Sequence, residues 1–275
     1  MESNTDFRIS SGPPDNLVTS ELPITQAFVF SSFIQLENVS PIELLGIVSR
    51  MENMHCVTNI ENDLNDLTYL PEITLRQPTK ERIVKMSRKE HVDAFFKHGK
   101  LRLGSLETYR QIEHAQIGDI SEGNLVLILK NSLMSRILDL QCGYNHHVFC
   151  CYTGHTNHNV MQEFGYDDGF EIENISGFRQ AISNTLNIKE VRSGECLYKN
   201  LKALVLDVPS TFNLDINFGM QLSQSLQLSQ MAHYFLKNKH FSHQQEYRFV
   251  WENPNRVSNF IDIECPEAIQ FCKRL

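Results

Sequence analysis

"HFSHQQEYRFVWENP", residues 240–254, is the stretch from which the rest of the chain is read. Tyr247, Phe249 and Trp251 recur at every second residue, the period of a strand that buries one face. The alternate positions carry Glu246, Arg248 and Val250. The aromatic face predicts a strand central to the core. Because an unpaired buried charge is very costly, the Glu246/Arg248 face must look into water, into a cleft or into a salt-bridge network.

Further strands are expected on either side of it. "RIVKMSR" (82–88) predicts a strand, "KEHVDAFFKHG" (89–99) a short helix stopped by Gly99, and "KLRLGSLETYRQIE" (100–113) a strand that leaves through Gly104 into a polar segment. "NLVLILK", "HHVFCCYT", "GFEIEN" and "KALVLDV" are further strand candidates, with "SGFRQAISNTL" (176–186) and "MQLSQSLQLSQMAHYFLKNK" (220–239) as helices. "FIDIECPEAIQFCKRL" (260–275) reads as a strand and then a helix with Pro266 at its first position. The expected class is α+β, with mixed, mainly antiparallel strands interrupted by short helices.

Toward the start, residues 1–22 are rich in Ser, Asn, Pro and Asp and read as a flexible arm. Residues 23–80 read as an N-terminal accessory unit in which a strand passes into a helix capped by Ser40, with Pro41 and Glu43 behind it. Residues 81–275 are expected to form the main domain. At 275 residues and 41% hydrophobic content the chain can build a proper core. A net charge of -8 argues against a general nucleic-acid coat protein, although basic residues outnumber acidic ones between Lys80 and Arg110. The seven cysteines are odd in number, and the adjacent Cys150 and Cys151 point to opposite faces of a strand, so they read as reduced thiols. With a polar N-terminus and no apolar run of membrane-spanning length, the expectation is a cytoplasmic protein without a membrane partner.

Two further segments carry chemistry-bearing residues. In "GKLRLGSLETYRQIEHAQIGDISEG" (99–123), Arg102 on a strand and Ser105 precede a polar loop holding Tyr109, Arg110, Glu113, Asp119 and Glu122. Such a non-repetitive loop usually binds something, the plainer alternative being a surface loop rich in capping residues. In "HHVFCCYTGHTNHNVMQEFGYDDGFEIEN" (146–174), a strand ends at Thr153 and Gly154, ahead of Tyr166. His146, His147, Cys150, Cys151, His155 and His158 lie close in sequence, but the paired spacing of a closed zinc site is missing and alternation separates them, so no metal is expected.

In their order these blocks resemble a widespread, poorly characterised bacterial family. Its pattern is a strand and helix, a "k-L-R-l-g-s" strand, a "yR..E....D..E" loop, a "v-F-C-y-[ST]" strand and a late "K....s.E.EyRf" segment. The matching residues are Lys85, Arg102, Ser105, Tyr109, Arg110, Glu113, Asp119, Glu122, Cys150, Thr153, Lys237, Glu246, Tyr247 and Arg248, over residues 82–252. The arrangement also looks like the ADP-ribosyltransferase fold, with its split sheet, as found in nucleic-acid-modifying DarT- and CmdT-like toxins.

That resemblance implies an NAD-dependent ADP-ribosyltransferase, with NAD as substrate, acting as a bacterial toxin or anti-phage effector on a nucleic acid or protein acceptor. An antitoxin or chaperone is the further partner it implies. Glu246 would be the catalytic carboxylate, stabilising charge that develops on the ribose. Lys85, Arg102, Arg110 and Arg248 are candidate cationic contacts to NAD. Ser105 and Thr153 are candidate ribose or amide contacts, and Tyr109 or Tyr166 a surface for the nicotinamide. Two other classes stay open: a non-enzymatic nucleotide- or partner-binding regulatory module, and a magnesium-dependent nuclease built on Glu113, Asp119 and Glu122.

Overall fold

The structure is a computed structural model that describes residues 6–11, 18–23, 32–34, 68–69, 82–110, 122–130, 135–141, 146–154, 157–189, 191–200, 202–207, 232–253 and 260–275. Helices and strands are mixed and most strand pairs are antiparallel, as expected of an α+β chain. The helix expected after Ser40 lies outside the described residues, as do Glu113 and Asp119. No described helix is long and apolar enough to cross a membrane.

The chain divides into two compact units, each assembled from three stretches. The first comprises Met1–Arg76, Ile120–Gly143 and Leu197–His240, and the second Gln77–Asp119, Tyr144–Cys196 and Phe241–Leu275. Neither unit is contiguous in sequence. The physical reason is strand pairing, which joins residues far apart in sequence.

In the first unit, strands β1 (Asp6–Ser11), β2 (Val18–Pro23), β3 (Ser32–Ile34), β4 (Thr68–Tyr69), β7 (Asn124–Lys130), β8 (Ser135–Gln141) and β13 (Ala203–Asp207) share one sheet. Its order is β2-β1-β8-β7-β13-β4, with β3 also on β8. Residues 1–22, read from composition as an arm, therefore contain most of a hairpin in which Asp6 lies opposite Pro23. Within the expected helix over 220–239, residues 232–235 are helical, but Leu236–Asn238 form strand β14, parallel to β12 (Leu197–Lys199).

In the second unit, β5 (Ile83–Ser87), β9 (His146–Thr153), β10 (Asp168–Ile172), β11 (Val191–Glu195), β15 (Glu246–Glu252) and β17 (Cys272–Arg274) form a sheet in the order β11-β15-β9-β5-β10-β17. Helices α1 (Lys89–His98), α2 (Leu106–Arg110), α3 (His158–Phe164) and α4 (Ile175–Leu186) belong to this unit, as does the strand pair of β6 (Lys100–Leu103) with β16 (Ile261–Glu264). The expected alternation of β15 is present: Tyr247, Phe249 and Trp251 sit in the core with Phe149, Phe178 and Ile182. The Trp251 indole also donates to the Ser183 hydroxyl at 2.9 Å, so burying the ring leaves no orphaned donor.

Two local readings are corrected. The polar segment after Gly104 is not a loop from the start, because Leu106–Arg110 forms helix α2. Ser105 starts it, accepting the Thr108 N–H at 3.1 Å, while His146 Nε2 accepts the Leu106 N–H at 3.3 Å. After Pro266 the chain turns into a 3-10 helix (Pro266–Phe271), which is tighter than the α-helix that proline suggested.

Gly99 ends α1 with a left-handed φ of 70°. A Cβ there would lie 2.3 Å from the Pro266 nitrogen and 2.4 Å from the Cys265 carbonyl carbon, so backbone occupies the space. Gly165 ends α3 with a similar φ of +65° but has nothing within 4 Å of its Cβ position. Gly165→Ala should cost only the conformational strain, about 1–2 kcal/mol, whereas Gly99→Ala adds a collision with backbone. Thermal melts of both variants should rank Gly99→Ala well below Gly165→Ala, and equal melting temperatures would refute the packing account.

Candidate functional site

A fork in the second unit's sheet builds the site. β5 pairs with β9 only through Ile83↔Thr153 and Val84↔Tyr152, and farther along β9 the neighbour is instead Gly104, bridged to Val148. Continuing the first register would put Met86 opposite Cys150, but β5 has already diverged. The Cys150 carbonyl, deprived of a strand partner, accepts from the Lys85 ammonium at 2.8 Å, and that ammonium sits 4.7 Å from the Phe149 ring centroid. A buried carbonyl has to be paired with something, and here a side chain takes the place of a strand.

The fork opens into a cleft of about 480 Å³, inside the range of roughly 300–1,000 Å³ for small-molecule sites. Lys85 and Arg88 supply cations, and Tyr109, Phe149, Tyr166 and Phe260 supply rings. On the β6/β16 wall, Arg102 donates to both Asp262 oxygens at 2.7 and 2.9 Å, holding that carboxyl below its usual range, and Lys100 lies 3.6 Å from Glu264. Arg82 pairs with Glu171 and Lys89 with Asp93. Four cations of the locally positive stretch, Arg82, Lys89, Lys100 and Arg102, thus meet carboxylates, two of which come from β16. Among the described residues the Arg88 guanidinium has no such partner.

Beneath the cleft is a chain of polar groups. The Tyr109 hydroxyl neighbours the Cys150 thiol, and the thiol neighbours the Glu246 carboxylate. Burial first, and then the neighbouring Glu246 charge, push the Cys150 thiol well above its ordinary range. Tyr109 is raised by burial and then by Cys150. Both groups are therefore neutral at physiological pH. Glu246 accepts from Arg248 Nε at 2.8 Å and Nη2 at 3.1 Å, a bidentate pair with both side chains buried.

Of the residues singled out in sequence, Lys85, Arg102, Tyr109 and Tyr166 meet at the cleft. Glu246 and Arg248 are buried and do not line it; Cys150 neighbours both Glu246 and the cleft-lining Tyr109. Ser105 and Thr153 are committed elsewhere: Ser105 caps α2 and bonds Thr108, and the Thr153 hydroxyl donates to the Gln245 carbonyl at 3.2 Å. Arg110 is half-buried at the end of α2, and Glu122 is buried in the first unit. Among the described residues no three His, Cys, Asp or Glu side chains gather as a metal-holding group.

Sequence reasoning did not single out Arg88, Phe260 or Asp262. A signal for Asp262 was present: "KLRL" and "IDIE" alternate apolar residues with opposite charges, and pairing them sets Lys100 against Glu264 and Arg102 against Asp262.

The Glu246–Arg248 pair yields a stability prediction. Removing one partner strands a buried charge at a cost of about 3–5 kcal/mol, so Glu246→Gln and Arg248→Met should each be strongly destabilising in urea unfolding. The double variant should cost much less than the sum of the two, and strict additivity would mean that the pair is not coupled. His147 provides a pH prediction. Burial lowers its pKa below the ordinary 6.5, and its Nε2 contacts the Asn253 amide at 3.1 Å. A depressed folded-state value gives stability that is present above about 6.5 and is lost as pH falls through the folded value. His147→Gln should flatten the decline in unfolding midpoint between about pH 7.5 and 5.5; an unchanged slope would exclude this histidine as its source.

Comparison with family models, with curated proteins and with solved structures finds no match in any of the three.

Proposed function

We propose that the second unit binds NAD as a substrate and transfers its ADP-ribose to a nucleic-acid or protein acceptor, as a toxin or anti-phage effector of the ADP-ribosyltransferase kind. The observation that carries this reading is the fork. A split between β5 and β6 opens a ring-lined cleft with Lys85 at its base, and Tyr109 and Cys150 connect that cleft to the Glu246 carboxylate. The opened sheet supports the resemblance to the split sheet of that fold.

The residues suit the ligand. Lys85 and Arg88 match an anionic diphosphate, and Tyr109 and Tyr166 offer surfaces to a planar ring. In the reaction the bond between the nicotinamide nitrogen and ribose C1′ breaks, and its electron pair leaves on neutral nicotinamide. Positive charge develops on the sugar, where Glu246 stabilises it. An acceptor nucleophile then forms the new bond to C1′ and gives up its proton. Glu246 is buried beneath Tyr109 and Cys150, so this route requires those two side chains to move aside when NAD binds.

That same burial favours a second reading, a non-enzymatic nucleotide-binding module in which Glu246 serves only to pair Arg248. Nicotinamide release from labelled NAD, with candidate RNA, DNA and protein acceptors, separates the two. For a transferase, Glu246→Gln should lower release by about a hundredfold or more in protein that still binds NAD, and Lys85→Ala should weaken NAD binding. Wild-type protein that binds NAD without releasing nicotinamide would leave the binding module standing, and equal release by wild type and Glu246→Gln would sink the assigned role of Glu246.

A further inference from the structure

We infer that the Phe260 ring is the stacking seat for the adenine end of the dinucleotide, an inference that rests on the NAD reading above. Phe260 opens β16's side of the cleft and is 41% exposed, one of two large hydrophobic residues exposed among those described. Leaving a phenyl ring in water forgoes its burial, yet this ring is held in a defined orientation. Tyr109 meets it nearly edge-on, with centroids 6.1 Å apart and planes at 83°. The Arg102 guanidinium, anchored by Asp262, is 5.9 Å from its centroid.

The strand beside it is built to admit both rings. A Cβ at Gly104 would lie 3.0 Å from Phe260 Cε1 and 3.1 Å from Tyr109 Cζ, so any side chain there would press on the two rings together. Tyr109 then sets the order of the two ends. Its hydroxyl lies beside the Cys150 thiol, toward Glu246, whereas its ring meets the exposed Phe260. A ligand whose reacting ring is directed to the Glu246 side has its other ring on the Phe260 side, and a purine is the ring type with most face to stack.

Calorimetry on the full chain tests this with NAD, ADP-ribose and nicotinamide mononucleotide as probes. Phe260→Ala should weaken NAD and ADP-ribose by about tenfold or more and leave nicotinamide mononucleotide unchanged, and Phe260→Trp should restore binding. Phe260→Leu keeps an apolar side chain of similar reach without a π-face and should behave like the alanine variant. Unchanged binding of NAD and ADP-ribose by Phe260→Ala and Phe260→Leu would overturn this inference and leave the NAD reading intact. A loss confined to nicotinamide mononucleotide would put the ring at the other end and also overturn it. A wild-type chain that binds none of the three probes would overturn both.

Discussion

A strand buried on both faces cannot carry a lone charge, and β15 meets that constraint with the Glu246–Arg248 pair. Every residue from Glu246 to Glu252 is buried. One face is satisfied by aromatic packing, where Phe249 stacks on Trp251 at 5.9 Å and meets Tyr247 at 5.2 Å. The other is satisfied by a bidentate ion pair two residues apart on the same face. Slipping the strand by one residue would exchange these faces, burying charge against Phe178 and Phe149, so the pattern specifies its register against β9 and β11.

The fork follows from how β9 is flanked on its other side. Two short contacts, one with β5 and one with Gly104, replace a continuous neighbour, and the carbonyl left between them is met by Lys85. A cation is thereby fixed at the base of a cleft. The surrounding walls are largely self-neutralised through Arg102–Asp262 and Lys100–Glu264. Such exposed pairs contribute little to stability.

Much of the second unit was legible in sequence. The periods of "RIVKMSR", "HHVFCCYT" and "EYRFVW" correspond to β5, β9 and β15, and Gly99 stops α1 as its position suggested. Helix α2 was missed because its start depends on His146, forty residues away, accepting a backbone N–H. Strands β14 and β17 were missed because each is three residues long and is defined by its partner more than by its own composition. Of the candidate site, Tyr109 and Lys85 were legible as residue types in a promising order, whereas the commitment of Ser105 to a cap and of Thr153 to the Gln245 carbonyl was not.

Sequence alone determined what must be buried and what must be compensated: alternation separates Tyr247, Phe249 and Trp251 from Glu246 and Arg248, and a buried charge demands a partner. It could not say whether that partner would be solvent, a ligand or another side chain. Tertiary structure decided that Glu246 turns to Arg248 and Cys150, that Asp262 crosses to Arg102, and that β5 parts from β9 to open the cleft. The reason is that local periodicity assigns faces to a strand, while the neighbour each face meets depends on pairings across long stretches of chain.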